Sequence, residues 1–305
     1  MTPNVGLRRR LDSFAEKVVF GFAFVAIAII FLIFFYVARE AWPLVTGSAD
    51  GVSLVSPFSA PFTWQPVSDV PKYNVLPLIL GTFKVTLIAL IIATPLALLA
   101  AIYTAEFAPG TSREWIKPVI EMLAGIPSVV MGFFVLMVMA SWLQAAFGFE
   151  FRLNAITAGF GLALAILPII YTVSEDALTA VPQQYREASF ALGASKSQTA
   201  LRVVVPSAMP GIAASIVLGF GRAIGETMIV LMVSGNAAIL SLDPGLPART
   251  LSATVAAELG EVVFGGGHYR ILFFIGTLLF VITSLLNWAG DRFKRSLRLR
   301  LFGSA

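Results

Sequence analysis

The chain has 305 residues, 58% of them hydrophobic and only 12% charged, with a mean hydropathy of +0.87. A soluble domain is usually about one quarter charged, so these figures exclude an ordinary soluble protein and point to one embedded in a bilayer. Cysteine is absent, which excludes disulfides, thiolate chemistry and Cys-ligated metals, and a lone histidine, His268, cannot build a histidine metal centre.

Six apolar stretches, at about 18–38, 76–103, 118–140, 155–173, 208–233 and 270–290, are long enough to cross a membrane as helices. The first follows Arg8-Arg9-Arg10 and is expected to be a retained span, because its core is too long for a signal peptide and no small-residue cleavage site follows it. The expected domains are 1–74 (first span and its loop), 75–298 (a five-span core) and a tail, 299–305. With the N-terminus inside, fourteen Lys and Arg fall in inner segments and five in outer ones. This asymmetry places both termini in the cytoplasm. The net charge of +4 is then a topology signal beside anionic lipid, and no nucleic-acid partner is expected.

The loops follow in order. The outer loop 39–74 carries Trp42, Phe58, Phe62 and Trp64, read as interfacial aromatics. The inner loop 106–117 is short, and Glu121, one turn after Lys117, is expected to pair with it. Pro127 interrupts the ladder of span three, where Ser128 offers a hydroxyl to a freed backbone group. In span two, Lys84 lies between Thr82 and Thr86. It is read as snorkelling to the outer interface, the alternative being a cation of the path.

The inner loop 174–206 has the most local structure. Pro182 opens a helix and Gly193 closes it, Ser195-Lys-Ser-Gln198 fits a capping box, and Pro206 is expected to end the helix that follows. Such a folded knob suits either docking or a well-capped connector. No phosphate-cradling G-x-x-x-x-G-K-[ST] is present, so the chain is expected to bind no nucleotide.

Span five holds Arg222 and Glu226 in Gly219-Phe-Gly-Arg-Ala-Ile-Gly-Glu-Thr-Met. A charge at the bilayer centre costs on the order of 2.5–3.5 kcal/mol even on lenient scales. Spacing i, i+4 sets both on one helical face, able to pair or to line a polar path together. A guanidinium matches the oxygens of an oxyanion. Gly211, Ser215 and Gly219 form a small-residue stripe, with Gly221 and Gly225 on another, expected to pack against a partner subunit. In the last outer loop, 236–269, Leu251, Val255 and Leu259 suggest an amphipathic helix on the surface or tucked between spans. His268 is read as a solvated or interfacial loop residue, not a ligand.

Glu187-Ala188-Ser189, then Gly193, then Val203-Val-Val205-Pro206 resembles the EAA loop of ABC importer permeases, with Ser and Val at three positions of the pattern. Leu123-Ala-Gly125-Ile-Pro127-Ser128 and Gly221-Arg222-Ala-Ile-Gly225-Glu226-Thr227-Met228, followed by Ser234-Gly235-Asn236, resemble the phosphate importer permeases, specifically the C type (PstC). The resemblance implies an all-α, six-span type I permease with no catalytic residue, metal or cofactor of its own. Its implied partners are a homologous second permease, two cytoplasmic ATPase subunits and an outer phosphate-binding protein, in a bacterial inner membrane. It implies ATPase coupling through Glu187, Ala188 and Gly193, and a path past Arg222, Glu226, Thr227, Ser128 and Lys84. The alternatives are a permease for another oxyanion (sulfate, molybdate or phosphonate) and an ion-coupled secondary transporter. An intramembrane enzyme fails for want of a nucleophile–base pair.

Overall fold

A computed structural model describes residues 5–47, 56–58 and 61–303; the side chains of Arg8, Arg9, Arg10, Arg298 and Arg300 lie outside the described residues. Among the described residues, six helical segments are long and apolar enough to cross a membrane. The first is α1 (Val5–Val45). A two-residue antiparallel pair, β1 (Trp64–Gln65) and β2 (Lys72–Tyr73), precedes α2 (Leu76–Ile102). A π-helical turn, Tyr103–Phe107, prolongs α2.

The core is α2, α6 (Ala155–Thr179) and α9 (Val205–Gly225). Ala89, Ala93, Ala97 and Ala101 recur every fourth residue on α2 and are fully buried, a stripe of small side chains that lets α6 approach closely. The stripe on α9 does the same within this chain. A Cβ on Gly211 would overlap Ala177, one on Gly219 would lie 2.7 Å from Ile170 Cγ1, and the hydroxyls of Ser215 and Ser174 are 2.7 Å apart. The expected packing of Gly211, Ser215 and Gly219 on a partner subunit is therefore corrected: they pack on α6. Of the second stripe, Gly221 faces Asn287 of the last span, and Gly225 faces open space.

Three expectations about continuity also change. The inner loop 106–117 is mostly helix α3 (Gly110–Ala124), which ends at Gly125. After Gly125-Ile-Pro127 the span proper runs as α4 (Ser128–Phe134), a π turn (Val135–Met139) and α5 (Ala140–Phe147). Pro206 does not end a helix. From α8 (Lys196–Thr199) the chain passes through a π turn, Ala200–Val204, directly into α9. The Val205 N–H reaches back to the Ala200 carbonyl. The wider turn leaves Pro206 at the start of the α-helical ladder, where its missing N–H costs little.

Span five is the third. It breaks at Glu226, whose ψ of 131° is extended, and resumes as the short α10 (Met228–Val233). The segment 234–250 then turns back, and α11 (Leu251–Glu258) enters the bundle by its first turn: Leu251, Ser252, Ala253 and Thr254 are all buried. Leu259 is exposed. The helix is thus tucked between spans end-on, and its burial does not follow the Leu251–Val255–Leu259 stripe. Finally α12 (Gly267–Phe302) runs through the sixth span and packs on α1 and α9.

At the other end of the bundle, α7 (Gln183–Ala191) is followed by Gly193 at φ +80°, and both hydrogen bonds of the Ser195–Gln198 capping box form.

Candidate functional site

The two interrupted spans meet through the short helices that follow their breaks. Gly132 of α4 faces α10: a Cβ there would lie 3.2 Å from Ile229 Cα and 2.9 Å from Met232 Sδ. Both segments restart after a Gly-containing break, Gly125–Pro127 in one and Gly225–Thr227 in the other. Backbone groups freed at such breaks must find partners, or line a cavity, when they lie at membrane depth.

Arg222 and Glu226 form no ion pair among the described residues, because α9 ends at Gly225 and the Glu226 carboxylate turns toward α10. Arg222 lies in the last turn of α9 with its side chain exposed in the single chain. Glu226 folds forward, and its carboxylate accepts from the Ile229 N–H at 3.5 Å, at the start of α10. Each charge therefore sits at the helix end whose dipole favours it, the cation at a C-terminus and the anion at an N-terminus. Thr227 is half-buried, and its hydroxyl donates to the Gly225 carbonyl at 3.3 Å. Ser128 is half-buried in the first turn of α4.

Lys84 is placed elsewhere. It is 8% exposed, and its Nζ donates to the carbonyls of Ser241 (3.1 Å) and Asp243 (2.9 Å) in the returning segment. The expected snorkelling is absent because two backbone carbonyls already solvate the ammonium.

Sequence reasoning missed the contacts that seat this returning segment. The Leu251 N–H donates to Thr82 Oγ1 at 3.0 Å, and Ser252 Oγ donates to the Glu226 carbonyl at 2.8 Å. Further out, Glu258 accepts from Trp64 Nε1 (2.9 Å) and from Arg249, and its Oε2 lies 2.9 Å from His268 Nε2. Burial alone would raise the Glu258 pKa; the hydrogen bonds from His268 and Trp64 and the Arg249 charge outweigh it and hold the carboxyl below its ordinary value. His268 is thus in the first turn of α12, which corrects its expected place in a loop, and it is partly exposed and bonded within the cluster. Only the bare charges at 249 and 258 signalled this hub, and they match no local pattern.

At the α7 end, Lys117 bonds Glu175 (2.7 Å) and Asp176 (2.8 Å), while Arg113 bonds Glu175 at 2.6 Å. The expected Lys117–Glu121 pair does not form. The partners are across the α3–α6 contact, and Glu121 accepts instead from Thr172 at 3.5 Å. Asp176 and Glu175 raise the Lys117 pKa above the usual lysine value. Arg186 of α7 bonds Glu106 at 2.6 Å and the carbonyls of Val181 and Leu178, fastening α7 to the end of α2. Glu187 and Ala188 face outward from α7, with Phe190 45% and Leu192 89% exposed. Ser189 is turned inward, 2.9 Å from the hydroxyl of Thr199.

The chain resembles proteins of known type over this whole region. It is 39% identical over 237 residues to a probable ABC transporter permease protein, YqgH, of Bacillus subtilis, covering 77% of this chain and 76% of that one. It is 35% identical over 243 residues to the phosphate transport system permease protein PstC of Mesorhizobium japonicum, covering 73% of each. A bacterial ABC transporter involved in import of the acidic polysaccharide alginate superposes with a TM-score of 0.64 at 16% identity, over 94% of this chain and 99% of that one. The sequence relatives and the fold together define the class: a transport subunit with the type I ABC importer permease fold, not an enzyme. Residues 93–299 match the family described as binding-protein-dependent transport system inner membrane component, and the chain belongs to that family.

Proposed function

We propose that this permease carries phosphate, and that the anion passes the junction of the two interrupted spans, with Arg222 as its principal ligand. The observation that carries the reading is the exposed Arg222 guanidinium beside the Gly225–Thr227 break, which has no carboxylate partner among the described residues. An unneutralised cation at membrane depth is costly unless a second subunit or an anion meets it, and its planar fork suits phosphate oxygens. The phosphate permeases among its relatives support the choice of anion.

Glu226, held at the start of α10, tempers the positive field so that the anion is released. Thr227 and Ser128 offer hydroxyls on the two sides of the junction. A homologous second permease completes the path. Two ATPase subunits dock on the α7 face through Glu187, Ala188 and the turn at Gly193, and a phosphate-binding protein delivers the anion at the opposite end. The α7 end is then cytoplasmic, together with both termini.

The test is uptake by proteoliposomes holding the complete complex, with phosphate and sulfate in competition. Arg222→Ala is expected to abolish phosphate uptake while the subunits still assemble. Normal uptake by that variant would refute the path assignment.

A further inference from the structure

We infer that Ser252 is a positioning residue for transport: from the buried tip of α11 its hydroxyl fixes the break at Gly225–Thr227, and so sets the site beside Arg222. This deepens the phosphate-path reading and rests on it.

Where α9 stops, the Glu226 peptide leaves the helical conformation, and its carbonyl lies beside the returning segment. A side chain from 26 residues further along satisfies it: Ser252 Oγ donates at 2.8 Å, and Ser252 is 7% exposed. That hydroxyl is itself held in place. Thr250 caps α11 by accepting from the Ala253 N–H, and its Oγ1 lies 3.3 Å from Ser252 Oγ. The Leu251 N–H, left without an intrahelical acceptor at the helix start, is bonded to Thr82 of α2. Gly81 lets the backbone of Arg249 lie directly on α2, since a Cβ there would be 3.1 Å from the Arg249 carbonyl carbon and closer still to its oxygen. The tip of α11 is therefore clamped on one side by α2 and on the other grips the break of span five.

Two consequences distinguish positioning from mere support. The contact is to backbone, so a hydroxyl is required at 252, but its exact side chain is not. The contact also fixes the orientation of the peptide next to Arg222 without touching the anion. Loss of the hydroxyl should thus weaken transport while the fold persists.

The experiment uses the complete complex in proteoliposomes, measured on whichever of phosphate and sulfate the unmodified complex takes up. Ser252→Ala should lower the maximal uptake rate roughly tenfold or more, as expected when a buried carbonyl loses its donor. Subunit assembly should persist and the melting temperature should fall by no more than a few degrees, the cost of one buried hydrogen bond, while ATP hydrolysis continues without matching uptake. Ser252→Thr, which keeps the donor, should restore uptake to within about threefold. Normal uptake by Ser252→Ala overturns the inference. So does a loss of uptake that Ser252→Thr fails to rescue, or that comes with loss of assembly. Because Arg222→Ala is measured in parallel, failure of the path reading appears as normal uptake in that variant, whatever Ser252→Ala does.

Discussion

Replacing Gly81 by alanine tests the seating of the returning segment without touching a polar group. The added Cβ would overlap the Arg249 carbonyl oxygen and lie 3.1 and 3.3 Å from the carbon and nitrogen of that residue. All three are backbone atoms, so no side chain can swing away. Relief requires the 249–251 segment to move off α2 by about 1 Å, the shift that brings a carbon–oxygen overlap back to van der Waals contact. That movement stretches the 3.0 Å Leu251–Thr82 bond and strains the Ser252–Glu226 contact behind it. Overpacking of this kind costs about 1–3 kcal/mol, and a weakened buried hydrogen bond adds about 1 kcal/mol. The expected loss is thus about 2–4 kcal/mol, a fall in melting temperature on the order of 5–15 °C at a fixed scan rate. The assay is thermal unfolding of the purified complex in detergent, with Gly21→Ala in α1 as control, since nothing lies within 4 Å of that position. That control should be neutral or slightly stabilising, because alanine favours a helix by up to about 1 kcal/mol over glycine. A Gly81→Ala complex that melts with the unmodified one would refute the reasoning.

Two further outcomes follow from the ends of the molecule. Gly193 has φ +80° and open space around its Cα, so Gly193→Val should act through backbone strain of about 1–2 kcal/mol. It should turn α7 away from α8 and release the ATPase subunits or uncouple hydrolysis, scored by co-purification and hydrolysis rate. At the α11 end, the depressed Glu258 pKa means that its stabilising contribution is present above the pKa of an unfolded glutamate and is lost as pH falls through the folded value. Acid titration of the complex should therefore lower its melting temperature on the acidic side of the ordinary carboxylate range. Glu258→Gln should flatten that dependence, and an unchanged profile would count against the cluster.

Hydropathy was enough to find all six spans, because each span keeps an apolar window whatever its internal geometry. It could not find the break in span five, where Gly225-Glu226-Thr227 contains no proline and the flanking residues stay apolar. The Glu226 carbonyl at the break is met by a donor from Ser252, which no local pattern announces. The stripe Gly211–Ser215–Gly219 announced a close approach but not which helix would make it; the answer, α6 of the same chain, lies in Ile170, Ser174 and Ala177. Pro206 misled for a related reason. A π turn absorbs it, and the sequence does not reveal that the preceding turn will widen. The α7–α8 knob was legible almost residue by residue, since a capping box and a positive-φ glycine are local devices. Ion pairing was least legible: Lys117 chose Glu175 and Asp176 over the neighbour one turn away.

The placement of α1 carries a consequence for how the chain is made. Its main helical neighbour is α12, the last element of the fold, and none of its most apolar window is buried in the protein. During synthesis the first span therefore reaches the bilayer more than two hundred residues before its docking surface exists. In the interval it must persist as a lone helix in lipid, supported by its own backbone bonds and side-chain solvation alone. α1 is the most apolar of the six spans and contributes least to the core, which is the composition a helix needs when lipid, not protein, surrounds it.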